Sequence, residues 1–346
     1  MKKISVNCGG VIIGDGSISI QSMTNTKTEN VSATVKQIEE LQKAKCDIVR
    51  VTVNDEAAAK ALKEIVKNVT VPIVADIHFN PSLAVKAVEA GAHKVRINPG
   101  NFPIGELKTL VDVCLERNVP IRVGVNAGSI AKQYKNLPIC DGLVSSVLDS
   151  VKRIEDLGFG QMVLSVKSSD VRTCIKAYEK LFETSRYPLH IGITEAGTFE
   201  SGLIKNSIGI GALLLKGIGD TVRVSLSDEP VKEVYAARKI LSALGIKKEF
   251  EVIACPTCGR TSINVSKFAK TIENEFCDCK TPLKVAVMGC VVNGIGESEG
   301  ADVGIAGGKE KSVIFVDGKA VDTVSNDVAF ECLKKRIIEK IDAFNR

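Results

Sequence analysis

Long apolar runs are missing from this sequence. The longest, near residues 208–215, is far below the roughly 20 residues a membrane-crossing helix requires. The opening stretch MKKISVNCGGVIIGDG carries two lysines but no apolar core behind them, so no secretory leader is expected. Aromatic residues make up only 4% of the chain, no basic run is interleaved with them, and the net charge of +5 is small and dispersed. A polybasic nucleic-acid binder is therefore not expected, and the cytoplasm is the expected compartment. The eleven cysteines lack the dense, even-numbered pattern of a disulfide framework; in a reducing compartment they read as free thiols plus a metal site. What is present is 45% hydrophobic and 25% charged residues over 346 positions, an ordinary globular composition too long for one small core. One large and one small domain are expected.

Apolar, β-branched runs recur at Ser19–Met23, 47–53, 72–77, Lys94–Ile97, 120–125, 161–166, 190–194 and 221–226. Helix-patterned segments at 31–44, 55–67, 81–90, 104–117, 144–157 and 170–178 separate most of them. The alternation implies parallel strands joined by crossover helices, and eight such units in about 230 residues match a TIM (β/α)8 barrel. A doubly wound open sheet has the same local pattern and stays open as an alternative.

The ends of these runs are polar: Gln21/Ser22, Arg50, Asp76/His78, Arg96/Asn98, Arg122/Asn126, Lys167, Glu195 and Ser225. In a barrel, strand ends form the active-site face, so these side chains would converge on one mouth. Arg50, Arg96, Arg122 and Lys167 suit a ligand carrying phosphate or diphosphate, although any one alone could be a solvated strand-end residue. Asp76 and His78 lie two apart and face one side of their strand, as a functional pair or a structural one. Glu195 could donate a proton, orient a hydroxyl or neutralise the arginines. His93 and His190, at strand starts, read as structural.

After a helix at 230–244 the pattern breaks at 245–248, placing a barrel domain at 1–246 and a small α/β domain at 247–346. There a strand runs into Cys255-Pro256-Thr257-Cys258 and another, 283–288, into Gly289-Cys290, with Glu297 seven positions on. Three thiolates and a carboxylate are four possible metal ligands. Such a set suits an iron–sulfur cluster with one weakly held iron, while Cys277 and Cys279 could instead complete a zinc ribbon.

Several motifs together resemble one family. They are Gln21-Ser22-Met23-Thr24-Asn25-Thr26, Ala75-Asp76-Ile77-His78-Phe79, Arg96-Ile97-Asn98-Pro99-Gly100-Asn101, Thr194-Glu195-Ala196-Gly197, Arg223-Val224-Ser225, Cys255-Pro256-Thr257-Cys258-Gly259-Arg260 and Gly289-Cys290-Val291-Val292-Asn293-Gly294. In this order, across nearly the whole chain, they are similar to the bacterial two-domain form of the 4-hydroxy-3-methylbut-2-enyl diphosphate synthase family, IspG or GcpE. The resemblance implies a TIM barrel followed by an iron–sulfur domain, with a 4Fe-4S cluster on Cys255, Cys258, Cys290 and Glu297. It implies reductive ring opening and dehydroxylation of 2-C-methyl-D-erythritol 2,4-cyclodiphosphate in non-mevalonate isoprenoid synthesis, with electrons from flavodoxin or ferredoxin. It also implies a homodimer whose sites are shared between subunits. Arg50, Arg96, Arg122 and Lys167 would hold the diphosphate, Asn98, Asn126, Ser225, Arg260 and Asn293 would line the pocket, and Asp76, His78 and Glu195 would serve the chemistry, Glu195 as proton donor.

The chain departs from the family's pattern at Ile295, where proline is common, which should loosen the turn there. Cys277 and Cys279 match no ligand position, and the large insertion of plant-type members is missing. The competing expectation is a pteroate-synthase-like barrel transferase with a structural zinc domain.

Overall fold

The structure, a computed structural model, describes residues 3–345 except Phe79, Gly100, Asn101, Asp278, Ser298 and Glu299, and leaves aside the side chains of Ile104, Asn293, Ile295 and Glu297. The chain forms two compact units, Met1–Leu244 and Gly245–Arg346.

The first unit opens with an antiparallel hairpin, β1 (Val6–Cys8) and β2 (Val11–Ile13). Eight parallel strands follow: β3 (Ser19–Met23), β4 (Ile48–Val53), β5 (Ile73–Ile77), β6 (Lys94–Ile97), β7 (Ile121–Asn126), β8 (Met162–Lys167), β9 (His190–Ile191) and β10 (Thr221–Val222). Their order is β8-β7-β6-β5-β4-β3-β10-β9, and a parallel bridge between Leu164 and Leu189 joins the two ends. The sheet therefore closes into a barrel, which an open doubly wound sheet would not do. Helices α1 (Val31–Lys43), α2 (Glu56–Asn68), α3 (Pro81–Glu89), α4 (Leu107–Arg117), α5 (Ile139–Asp156), α6 (Val171–Thr184), α7 (Phe199–Leu214) and α8 (Pro230–Ala243) surround it. Asn30, Asp55, Asn80 and Asp170 start four of these helices by accepting a hydrogen bond from a first-turn N–H, so each crossover begins where its sequence places a short polar acceptor.

Strand alternation sorts the barrel's two faces. Val49, Val51, Ile73, Ala75, Val95, Ile121, Val123, Leu164 and Val166 pack outward against the helices in the main core. The opposite parity faces the barrel axis and is polar on most strands: Arg50, Asp76, Lys94, Arg96, Arg122, Ser165, Lys167 and His190. Below these, Val6, Cys8 and Ile13 of the hairpin join Ile48, Val74 and Val163 in an apolar plug that seals the barrel floor.

Two further features of this unit depart from the expectations. Strands β9 and β10 have two residues each, and Gly192, at φ 153°, leaves the extended region straight after β9. Helix α7 contains Gly202, Gly209 and Gly211, which weaken its helical pattern in the sequence. A side chain at Gly209 would come within 2.5 Å of Ile193, so the helix packs on the barrel through that glycine. The apolar stretch at 208–215 forms its last two turns and C-cap. Among the described residues no helix is long and apolar enough to cross a membrane.

The second unit has a five-stranded sheet in the order β11-β12-β13-β14-β15: β11 (Glu251–Ala254), β12 (Lys284–Met288), β13 (Val303–Ala306), β14 (Lys311–Val316) and β15 (Lys319–Ser325). The first three strands are parallel and the last two antiparallel. Helices α9 (Val265–Glu275) and α11 (Ala329–Phe344) cover one face through Ile272, Leu333 and Ile337. Strand β15 was not expected, since its residues alternate weakly and stand mostly exposed on the sheet edge. Helix α10 (Val291–Glu297) follows Cys290 directly, where a loosened turn was expected. A proline at 295 would remove a hydrogen bond inside that helix; isoleucine does not.

Candidate active site

The strand ends of the barrel enclose a cavity of about 400 Å³ lined by Arg50, Asp76, His78, Arg96, Asn98, Arg122, Asn126, Gly128, Ser129, Lys167, Thr194, Glu195 and Arg223. All four cations expected from the sequence meet there, together with Arg223, which the sequence reading passed over. Its signal was present: in the apolar run at 221–226, Arg223 has the same parity as Thr221 and Ser225, although the strand itself ends at Val222.

Asp76 organises one side of the mouth. Its Oδ1 lies 2.9 Å from Nη1 of Arg96 and its Oδ2 3.6 Å from Nε of Arg50. Burial alone would raise the Asp76 pKa, but these two guanidinium groups hold it well below the usual carboxylate range. It is therefore a fixed negative charge that orients cations. Nη1 of Arg96 also lies 2.9 Å from Nε2 of His78. The same ring nitrogen lies 3.6 Å from Oδ1 of Asp76, so His78 joins the Asp76–Arg96 pair. Arg50 rests on the Met23 thioether, with Nη2 2.8 Å from Sδ.

The other side of the mouth has cations and little to balance them. Arg122 is 2% exposed, and its Nε and Nη1 have no protein partner. Burial, followed by repulsion from Arg50 and Arg96, pushes its pKa well down. Lys167 is pushed well down by burial and by Arg122, Arg223 and Arg50. Arg223 bonds Ser225 Oγ at 3.1 Å and the buried Glu233 carboxylate of α8 at 3.0 Å. Glu233 also accepts from Ser22 Oγ and the Leu226 N–H, so it ties Arg223 to the barrel wall. Such a surplus of buried positive charge has one ready complement, a multiply charged anion.

The remaining expected residues frame this cluster. Asn98 donates to Ser129 Oγ at 2.8 Å, and the Ser129 hydroxyl bonds back to Asn126, closing a short turn after β7. Ser129 and Gly128 had no distinguishing motif in the sequence, whereas Thr194 opens the motif that holds Glu195. Glu195 lines the cavity from the left-handed backbone region at φ 52°, a conformation costing on the order of 1 kcal/mol or more for a non-glycine residue. Ser225 sits behind Arg223 as its hydroxyl partner. His93 accepts from the Ile73 N–H, a structural task; His190 is fully buried on the barrel axis, its pKa pushed well down by burial and by Arg122 and Lys167.

In the second unit, Cys255 and Cys290 follow the neighbouring parallel strands β11 and β12. The Gly289 N–H donates to Cys255 Sγ at 3.1 Å, which joins the two loops. Cys258 is exposed, its N–H bonded to Thr261 Oγ1, and Arg260 is exposed on the same loop. Among the described residues no three His, Cys, Asp or Glu side chains converge at metal-binding distance. The side chains of Asn293 and Glu297 lie outside the described residues. Cys277 is exposed and Cys279 partly buried.

A family model described as the GcpE TIM-barrel domain matches residues 3–238, and one described as the GcpE protein C-terminal domain matches residues 251–339. The chain belongs to the GcpE family. Relatives of this GcpE chain extend over almost its full length. A 4-hydroxy-3-methylbut-2-en-1-yl diphosphate synthase (flavodoxin) of Caldanaerobacter subterraneus is 53% identical, covering 94% of this chain and 93% of its own. Those of Clostridium perfringens, 50% identical over 97% of this chain and 98% of the relative, and Thermotoga maritima, 48% identical over 99% of each, bear the same name. Among solved structures, dihydropteroate synthase of Stenotrophomonas maltophilia matches at a TM-score of 0.53 with 15% identity, covering 70% of this chain and 98% of that one. The Yersinia pestis enzyme of the same name matches at 0.52 with 12% identity, covering 70% and 99%. That likeness extends to the barrel fold alone, so it lends no weight to a pteroate-synthase-like activity.

Proposed function

We propose that this GcpE-family chain is a 4-hydroxy-3-methylbut-2-en-1-yl diphosphate synthase that uses reduced flavodoxin. The substrate, 2-C-methyl-D-erythritol 2,4-cyclodiphosphate, takes up two electrons and two protons; one ring C–O bond breaks, water leaves, and the linear allylic diphosphate forms. The observation carrying this reading is the mouth itself, in which Arg50, Arg96, Arg122, Lys167 and Arg223 face one cavity with Asp76 as their buried counter-charge.

In this reading the five cations bind the diphosphate, and Asp76 keeps Arg50 and Arg96 aimed at it. His78, Asn98 and Asn126 border the cavity and orient the carbon skeleton. Glu195, at the rim, gives a proton to the departing oxygen. Ser225 holds Arg223 in place. Arg260 and Asn293 complete the pocket from a cluster domain, in a homodimer with sites shared between subunits. A 4Fe-4S cluster would be held by Cys255, Cys258, Cys290 and Glu297 and would supply the electrons. The donor chemistry fits that group: soft thiols follow adjacent parallel strands, and one sulfur already receives a backbone N–H of the kind that tunes such clusters.

Anaerobic reconstitution with iron and sulfide, followed by turnover of the cyclic diphosphate with reduced flavodoxin, tests this directly. Brown protein bleached by dithionite and formation of the allylic diphosphate are expected; colourless protein holding one zinc per chain would sink it. Glu195→Gln should keep substrate binding and slow turnover, and a wild-type rate would remove Glu195 from proton transfer.

A further inference from the structure

Gly124 lies at an inward position of β7, one alternation above Arg122 and one below Asn126. A Cβ built there would stand 2.7 Å from the Ser165 hydroxyl and 3.1 and 3.2 Å from Nη2 and Nε of Arg122. The guanidinium of Arg122 thus lies against the space a side chain at 124 would enter, close enough that it would have to shift by a few tenths of an ångström. Arg122 is 2% exposed and lines the mouth's cavity, so the room it has to give way is toward that cavity. The carbonyl of Gly124 in turn receives Nη2 of Arg96 at 3.3 Å, so one residue borders two of the mouth's cations. The arrangement recurs just beyond β9, where a Cβ on Gly192 would stand 2.9 Å from Nζ of Lys167. Gly192 also faces the Arg223 carbonyl, at 2.2 Å from such a Cβ, and is therefore held to glycine by its backbone surroundings as well.

We propose that Gly124 is a positioning residue for anion binding: its missing side chain sets the height at which the Arg122 guanidinium meets the substrate. The proposal rests on the diphosphate reading above. A side chain at 124 would push the arginine below it aside by a few tenths of an ångström, and the charge-assisted contact it makes would be misaimed. Glycine is retained on the strand despite its poor strand propensity because the neighbouring side chain needs the volume.

The test is calorimetric titration of inorganic pyrophosphate into the full chain, with near-UV circular dichroism as the check on folding. Gly124→Ala should weaken pyrophosphate binding on the order of threefold to tenfold, a fraction of what a charge-assisted hydrogen bond contributes. Arg122→Lys should cost affinity in the wild-type background and less in the Gly124→Ala background, because the contact is already weakened there. Crowding of Ser165 could unfold the single variant, so Gly124→Ala with Ser165→Ala is titrated as well. That pair removes the hydroxyl contact, leaves the guanidinium contact and should still bind weakly. Wild-type affinity in either folded variant, or an Arg122→Lys cost that is equal in both backgrounds, would overturn the proposal. Failure of the diphosphate reading has a different signature: Arg122→Lys would then leave pyrophosphate affinity unchanged in the wild-type background.

Discussion

Arg122 and Lys167 carry opposite obligations in the free and liganded protein. Each is buried among like charges, which opposes folding, and each supplies charge that an anion needs. Replacing Arg122 by methionine, similar in length and uncharged, should leave the unliganded protein as stable as wild type or more so, while pyrophosphate binding falls by about 2–5 kcal/mol. Thermal unfolding without and with ligand measures both. Lys167 sets a pH dependence whose sign follows from its lowered pKa. As pH rises through that lowered value the side chain loses its proton and anion affinity falls. Binding below the ordinary lysine range should therefore take up a proton, seen as a buffer-dependent binding enthalpy. Its effect on stability is adverse: the destabilisation is complete below the folded pKa and is relieved as pH climbs toward the unfolded value. A Lys167→Met variant should lose the buffer dependence. At this scale most of the site was legible, because inward parity on a strand has period two and each cation could be counted along it. Arg223 was legible on the same rule. The role of Asp76 was not, since the direction of its pKa depends on two arginines contributed by other strands.

The β1–β2 hairpin was missed because three-residue strands give almost no periodic signal, yet it closes the barrel's lower end. Ile13, fully buried in that plug, should cost about 2–5 kcal/mol when cut to alanine, measurable by urea unfolding, while the mouth's pyrophosphate affinity stays near wild type. A large affinity loss in folded Ile13→Ala would mean that floor and mouth are coupled. Strand β15 had a readable marker, Asp317-Gly318, both residues at positive φ (49° and 74°) in a two-residue hairpin loop. Its edge position hid it, because an exposed edge strand needs little hydrophobic alternation. Helix α7 was hidden for the reverse reason, as its glycines serve close packing and weaken the helical pattern.

Across the whole molecule, the cationic cavity belongs to the barrel unit and the candidate cluster ligands to the other. The two functions should therefore separate experimentally. Cys290→Ser should abolish iron retention and turnover while pyrophosphate binding persists; retained activity would contradict the ligand set. A mixture of Arg122→Ala and Cys290→Ser chains tests the shared-site dimer, because mixed dimers should regain part of the activity that both parents lack.

The sequence alone determined the number and order of the barrel's strands, the polar parity of their inner faces, and the thiol motifs that follow two strands of the second unit. Those are local properties, written in spacings of two and three to four residues. Only the tertiary structure decided that the sheet closes, that Arg223 joins the four expected cations, that Asp76 stays ionised between Arg50 and Arg96, and that Arg122 lies against Gly124. Each of those depends on the distance between residues far apart in the chain, and closure of the barrel sets those distances.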